Sequence, residues 1–473
     1  MNFSRKFTCS FLIALYILFI FVSNIGYAEG IAVSGNENIS SNSIPSTDTS
    51  NYSPFSLNNT PTTYSKACLL MEQSSGEILY SKNIYEKMYP ASTTKIMTAI
   101  LALENCKLTD VATASHNAVF SVPVGYSHAN IQEGEELTIE QLLNVLLIPS
   151  ANDAAFVIAE HIAGSVDAFS DMMNEKAKEI GCLNTHFVNP NGIHNENHYS
   201  TAYDMALIGR YAMKFDVFRQ IVSKTSYALP ATNKYDKTDR LFNTTNELLK
   251  PNYTSSPSNY YYQYTTGAKT GYTDAAANCI VATATKDNVS LIVVILHGER
   301  TDTGLSERAL DCKSLFEYGF NNFSFQNLAS KDSICQTTDI PFATESTKSL
   351  NLVYQEDITA YLPNNFDISS VVPTITVSSD ISAPLAKDTI LGTVSYKIGN
   401  LTYTSNIVSE NDVYKSENSK TIMEILLIIL ILTTIAYFLK LKNTHIRTKS
   451  KKKRKNKKSK KNTSLDNFYP KYK

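Results

Sequence analysis

Residues 92–95 read Ser-Thr-Thr-Lys, directly after Pro90-Ala91 and at the head of a long apolar run. A serine hydroxyl is a poor nucleophile until a base stands beside it. Residues three apart on a helix are neighbours, so Ser92 and Lys95 have the types and spacing of a nucleophile and its base. Ser-x-x-Lys alone says little, because Ser450 and Lys453 fit it too. Two more patterns follow in order. Ser150-Ala151-Asn152 is a Ser-x-Asn, a pattern also met at Ser34-Gly35-Asn36 and Ser56-Leu57-Asn58, and Lys269-Thr270-Gly271 occurs once. Order and context discriminate where each pattern alone does not.

The elements that must hold these residues can be read from periodicity. A helix is predicted from Ser92 to about Glu104. Its apolar residues Ile96, Met97, Ala99, Ile100, Leu101, Ala102 and Leu103 surround the axis, the pattern of a buried helix. Ala67–Asn83 reads as two strands around a Ser-Ser-Gly turn. Residues 137–215 are mostly helical, with Gly164 and Gly181 as C-caps, Ser200 or Thr201 as an N-cap, and Ser150-Ala151-Asn152 joining two helices. The stretch FVNPNGIHNENHYS is a loop. Lys269-Thr270-Gly271 is expected to begin a strand. Two further strands around Lys286-Asp287-Asn288 follow, then a closing helix in SERALDCKSLFEYGFNNF. The expected fold class is mixed α/β (α+β): an antiparallel sheet flanked by helices, with an inserted all-helical lobe. This core is placed at 64–326, and a small β-rich domain at 330–413.

Both ends point to a membrane. Arg5 and Lys6 precede an apolar stretch and Gly26-Tyr27-Ala28, so residues 1–28 read as a secretory signal peptide. Residues 29–63, rich in Ser, Asn and Thr, read as a flexible linker. Residues 421–440 are expected to form a transmembrane helix, and 441–473 a basic cytoplasmic tail. Residues 440–473 hold 15 of the 43 Lys and Arg and a single acid, Asp466, so the near-neutral total hides a remainder of about −15. A basic block beside a span is read as a topology signal that also meets anionic lipid, with no nucleic-acid partner. Of seven cysteines, Cys9 leaves with the signal. The other six form no Cys-x-x-Cys, so a zinc site is not expected and no disulfide pairing is fixed.

The stretches PASTTKIMTA, PSANDAA, STAYDMALIG and GAKTGYTD resemble the low-molecular-weight penicillin-binding proteins that are D-alanyl-D-alanine carboxypeptidases. The resemblance covers about residues 66–325 and, more loosely, the β-rich domain. It implies a serine β-lactamase/penicillin-binding-protein-like fold on the extracytoplasmic side of a bacterial membrane. It implies no cofactor and no metal; His194 and His198 have no third ligand at a convincing spacing. The partners it implies are the peptidoglycan stem peptide and β-lactams. By the same resemblance Ser92 attacks the carbonyl between two D-alanines, Lys95 takes its proton and Ser150 relays a proton to the leaving group. Asn152 holds a substrate amide, Lys269 and Thr270 meet the terminal carboxylate, and the N–H groups of Ser92 and Tyr272 form the oxyanion hole beside Gly271. Arg308 either assists at that carboxylate or makes a surface salt bridge.

Two departures are visible: Ala151 where Gly is common, and Tyr272 where some relatives carry His. The aromatic loop before Lys269 reads as surface. One rival is a class A-like β-lactamase. Its Glu-x-x-Leu-Asn appears at Glu140–Asn144, but ahead of Ser150 and in a helix. Another is a non-catalytic penicillin-binding sensor or scaffold, which should lack a motif residue; none is missing. A D,D-endopeptidase would use the same residues.

Overall fold

The strand Ala67–Glu72 (β1) is buried at all six positions, as strands are when both faces of a sheet are covered. It pairs with Ile78–Lys82 (β2) across the Ser-Ser-Gly turn. In the computed structural model, which describes residues 55, 57, 59–237, 240–251, 260–301, 305–416 and 418–462, these two strands edge a five-stranded antiparallel sheet. The expected signal peptide, most of the linker, the middle of the Tyr-rich loop and the end of the basic tail lie outside the described residues.

The motif region folds as a 3-10 turn, Ala91–Thr94, running into helix α1, Lys95–Asn105. The expected α-helix from Ser92 therefore starts one turn late. Lys95 to Ala102 are all buried, as the all-round apolar pattern requires. Short elements follow that are too brief to show a period: β3 (Val111–Thr113), α2 (His116–Phe120) and β4 (Glu136–Thr138). The helical lobe continues with α3 (Ile139–Leu147), started by a Thr138/Gln141 capping box, then α4 (Asn152–Ala163) and α5 (Val166–Ile180). The last two end on Gly164 and Gly181 as expected. Next come α6 (Ala202–Ala212), capped by Thr201, and α7 (Asp216–Val222). The hairpin β5 (Ser226–Leu229) and β6 (Arg240–Asn243) leads to the returning strands β7 (Thr265–Thr273), β8 (Ala277–Lys286) and β9 (Val289–Gly298).

The sheet order is β2-β1-β9-β8-β7. Side chains alternate across it. Leu69, Met71, Val281, Ile292 and Val294 pack with the helical lobe. Leu70, Ile280, Val293 and Ile295 pack with the closing helix α8, Glu307–Asn322, on the other face. The strand expected to begin at Lys269 begins four residues earlier, because Thr265–Ala268 already pair with Thr283 and its neighbours on β8. Phe55 and Thr63, inside the expected flexible linker, are also part of the fold. Phe55 meets Phe323 and Phe366 edge-on, and Thr63 hydrogen-bonds Tyr80. Aromatic burial there outweighs the polar composition around it.

The chain after α8 is all β. Strand β10 (Phe323–Ala329) pairs with β13 (Ile358–Pro363). A second five-stranded sheet runs β11-β12-β16-β15-β14, from Ile334–Asp339, Ser349–Tyr354, Leu401–Ser409, Ile390–Ile398 and Thr374–Val377. The first strand of this all-β region, β10 at Phe323, precedes the position 330 expected from sequence. Helix α9 then covers Asn418–Asn462, and Thr421–Thr444 is long and apolar enough to cross a membrane.

A carboxyl bridges the two sheets. Glu77, in the β1–β2 turn, is 3% exposed and accepts a hydrogen bond from Tyr403 of β16 at 3.2 Å. Burial pushes its pKa from 4.5 up to about 7; Glu72 adds repulsion and the Tyr403 bond pulls the other way. Stability from this group is full below pH 4.5 and is lost as pH rises through 7. Glu77→Gln is therefore expected to raise the unfolding midpoint at pH 8, by about 1–3 kcal/mol in stability, and to leave it nearly unchanged at pH 4. Equal effects at both pH values would show that the ionised carboxylate is not what strains this contact.

Candidate active site

Pro90 closes the 3-10 turn: its carbonyl accepts from Thr93 N and, at 2.6 Å, from Thr93 Oγ1. This sets Ser92 one helical turn ahead of Lys95. Lys95 Nζ lies 2.9 Å from Ser92 Oγ, and donates to Asn152 Oδ1 and the Asn191 carbonyl, each at 2.8 Å. A neutral amine has two N–H donors and one lone pair. The two carbonyl oxygens take the donors, which leaves the lone pair for the Ser92 hydroxyl proton. Burial holds the Lys95 pKa well below its usual value, and the Lys269 charge pushes the same way, against a smaller pull from Asp153. The amine is thus suited to be neutral.

Asn152 opens α4, and its orientation is fixed from behind. Its N–H and its Nδ2 both donate to Ser127 O, at 2.9 and 2.8 Å, which turns Oδ1 toward Lys95. The buried Asp153 carboxylate accepts from Ala129, Ile131 and Ala154 N–H groups, tying down the same loop. Ser150 is buried in the joint between α3 and α4, with a left-handed backbone at φ 70°.

The loop after α5 seals the other side. Thr98 donates to Pro190 O, Asn191 O receives Lys95, and His198 bridges Thr94 Oγ1 at 2.8 Å and Val188 N at 3.2 Å. Burial drives the His198 pKa down to about 3, so this ring stays neutral. His194 packs edge-on against Tyr89. Both histidines are occupied by packing.

Strand β7 forms the facing wall and is an edge of the sheet. Gly271 passes so close to the nucleophile turn that a Cβ there would lie 2.9 Å from Ser92 N and 3.0 Å from Pro90 O. Thr270 Oγ1 sits 2.5 Å from Thr245 Oγ1, and Thr245 N donates to Ile148 O, linking β7 to the segment just before Ser150. Lys269 is buried and donates to Thr270 O at 2.8 Å. Burial, then the Arg308 charge, lowers its pKa to about 7. Among the described residues no acid is bonded to Lys269 to oppose that lowering. Tyr272 is 57% exposed and its hydroxyl donates to Asp274.

Arg308 is part-buried, its side chain 12% exposed, and the salt bridge it makes lies beneath the surface rather than on it. It pairs with Glu247 (Nη2 to Oε2, 2.7 Å) and donates through Nη1 to Gly271 O (3.2 Å) and Cys279 O (3.4 Å). Burial would raise the Glu247 pKa, and the guanidinium overrides it. Arg308 thereby holds the β7 backbone. Glu140, the rival deacylation acid, is exposed on α3.

The structure thus joins Ser92, Lys95 and Asn152 by direct hydrogen bonds and presses Gly271 against them. Sequence reasoning missed Asn191, Ser127, Thr245 and Glu247. Two of these act through backbone carbonyls, which no residue type reveals. The Asn-Pro-Asn-Gly run at 189–192 was the available signal of a fixed turn.

Comparison with known proteins agrees with this geometry. The profile described as D-alanyl-D-alanine carboxypeptidase matches residues 55–300, and that of the penicillin-binding protein 5 C-terminal domain matches 323–415. D-alanyl-D-alanine carboxypeptidase DacF of Bacillus subtilis is 32% identical over 357 residues, 74% of this chain and 86% of its own. DacC of Escherichia coli is 30% identical, over 72% of this chain and 81% of its own. Among solved structures, the peptidoglycan synthesis regulatory factor PBP3 of Streptococcus pneumoniae superposes with a TM-score of 0.60 at 26% identity, over 75% of this chain and all of its own. Penicillin binding protein 5 of Haemophilus influenzae gives 0.58 at 26%, over 75% and 99%.

Gly192 tests whether the sealing loop matters. Its φ is +80°, and a Cβ there would lie 1.9 Å from Ala91 O. Gly192→Ala is expected to cost more than about 1 kcal/mol in stability and to slow covalent labelling by penicillin, because Asn191 O must leave Lys95. Labelling at the wild-type rate would show that this carbonyl does not position the amine.

Proposed function

The chain belongs to the D-alanyl-D-alanine carboxypeptidase family, and from that premise we propose that it removes the terminal D-alanine of peptidoglycan pentapeptide stems through an ester on Ser92. The observation that carries this reading is the Lys95 amine, buried and held 2.9 Å from Ser92 Oγ.

The stem peptide lies along the open edge of β7 as an added strand. Lys269 and Thr270 receive its terminal carboxylate, whose charge restores a full proton on Lys269. Ser92 Oγ attacks the penultimate carbonyl carbon while Lys95 accepts the hydroxyl proton. The oxyanion is met by the N–H groups of Ser92 and Tyr272, a device worth about 10²–10³ in rate per donor. Ser150 passes the proton to the departing amine, the C–N bond breaks, and water later hydrolyses the ester. Asn152 orients Lys95 and meets the substrate amide. Arg308, its donors taken by Glu247, Gly271 and Cys279, is a positioning residue for β7. A β-lactam follows the first half of this path and remains as the acyl group. The apolar helix Thr421–Thr444, followed by the basic tail, anchors the chain with its catalytic part outside the cytoplasm.

Ser92→Ala and Lys95→Arg are each expected to abolish labelling by fluorescent penicillin and D-alanine release from a pentapeptide, because a guanidinium does not deprotonate. Lys269→Arg should keep part of the activity. In the wild type kcat/KM should fall as pH rises through about 7, where free Lys269 loses its proton; Lys269→Arg should move that alkaline limb upward. Wild-type acylation by Lys95→Arg would remove Lys95 as the base.

A further inference from the structure

Apolar side chains left in water near a membrane span call for an account. Phe342 and Tyr414 are 63% and 61% exposed, among the most exposed large side chains of the β-rich domain. They stand on two paired segments: Thr344 N donates to Tyr414 O and Ser416 N to Phe342 O, each at 2.8 Å, around an Ala343–Lys415 bridge. Phe342 also has a left-handed backbone (φ 62°), uncommon for a bulky residue. The fold therefore holds this ring outward at a conformational cost.

Both segments lie at the foot of α9. Ser416, bonded to Phe342 O, is two residues from the start of that helix and five from Thr421, the first residue of the apolar span. The chain between Ser416 and Thr421 can span at most about 11 Å if the part before the helix is fully stretched, and the headgroup zone is about 5–8 Å deep on each side of the hydrocarbon. A phenylalanine ring closes that gap.

The aromatic content of the helix gives an independent reason. Spanning segments carry aromatic residues at both interfaces. Between Asn418 and Asn462 the Tyr, Phe and Trp residues are Tyr437 and Phe438 alone, next to Lys440 and Lys442 at the inner end. The outer end, NSKTIMEILLI, has none, and the whole chain lacks Trp. The folded domain supplies what the helix lacks. We propose that Phe342 and Tyr414 are seated in the outer lipid interface, where they serve as the outer aromatic anchor of the span and dock the β-rich domain on the bilayer. This rests on the membrane reading of α9. The two segments carry both acids (Glu345, Glu410, Asp412) and bases (Lys348, Lys415), so the seat is apolar rather than electrostatic and should persist in high salt.

The absence of Trp makes the test clean. Phe342→Trp and Tyr414→Trp, each in the full chain, are reconstituted into phosphatidylethanolamine–phosphatidylglycerol vesicles whose acyl chains carry bromine near the headgroup. Val124→Trp, on the helical lobe, is the control. Both test variants should show blue-shifted emission, lose most of it to bromine and resist iodide, in low and high salt alike; the control should do none of this. Flotation on a density gradient separates the two claims. If the full chain does not float with vesicles, the membrane reading fails and the seat with it. If it floats while both test variants emit like the control, the seat alone is refuted. A blue shift that follows protein concentration without lipid would assign the patch to a second copy of the chain and refute the lipid seat.

Discussion

A lysine amine fully buried from solvent is the constraint on which the site depends. Taking an ammonium out of water costs several kcal/mol unless it is paired, and among the described residues no carboxylate is bonded to Lys95. The fold instead surrounds Nζ with two carbonyl oxygens and one hydroxyl. That set suits a neutral amine and would be poor for a charged one. Much of the lobe serves it: α1 is buried along the length that carries Lys95, Asp153 pins the loop behind Asn152, and Gly192 lets the Asn-Pro-Asn-Gly turn close over the top.

The facing wall solves a different problem. An edge strand offers unpaired backbone groups, normally a liability; here that edge is where the substrate is proposed to lie. Gly271 brings the edge to within contact of Ser92 N, closer than any side chain would allow. Behind it, the part-buried Arg308–Glu247 pair satisfies both charges and holds the carbonyls of Gly271 and Cys279. A guanidinium used up in this way stiffens the strand. Lys269 is left buried beside the guanidinium, with its pKa lowered to about 7, and the substrate carboxylate is proposed to restore its charge.

Much of this was legible in the sequence, for identifiable reasons. The buried motif helix followed from apolar residues on every side. The hairpins followed from alternation interrupted by Ser-Ser-Gly and Lys-Asp-Asn, and the mixed fold from strands that stop, give way to helices and return. The three motifs named Ser92, Lys95, Ser150, Asn152 and Lys269 before any geometry. What stayed hidden has physical causes. The 3-10 start at Ala91–Thr94 and the short elements between α1 and α3 have too few residues to show a period. Phe55 is one aromatic in a polar stretch, and its burial depends on Phe323 and Phe366 far along the chain. The carbonyls of Asn191 and Ser127 carry no residue signature. Arg308 could be read two ways because its partner, Glu247, is 61 positions away.

The most direct test is the ionisation of Lys95 itself. With lysine labelled at Cε, NMR titration of the protein should show one resonance that stays in the neutral-amine position through pH 7, far below the ordinary lysine range near 10.5, and that disappears in Lys95→Arg. If every lysine signal except that of Lys269 titrates in the ordinary range, the amine beside Ser92 is charged at neutral pH and is not the base.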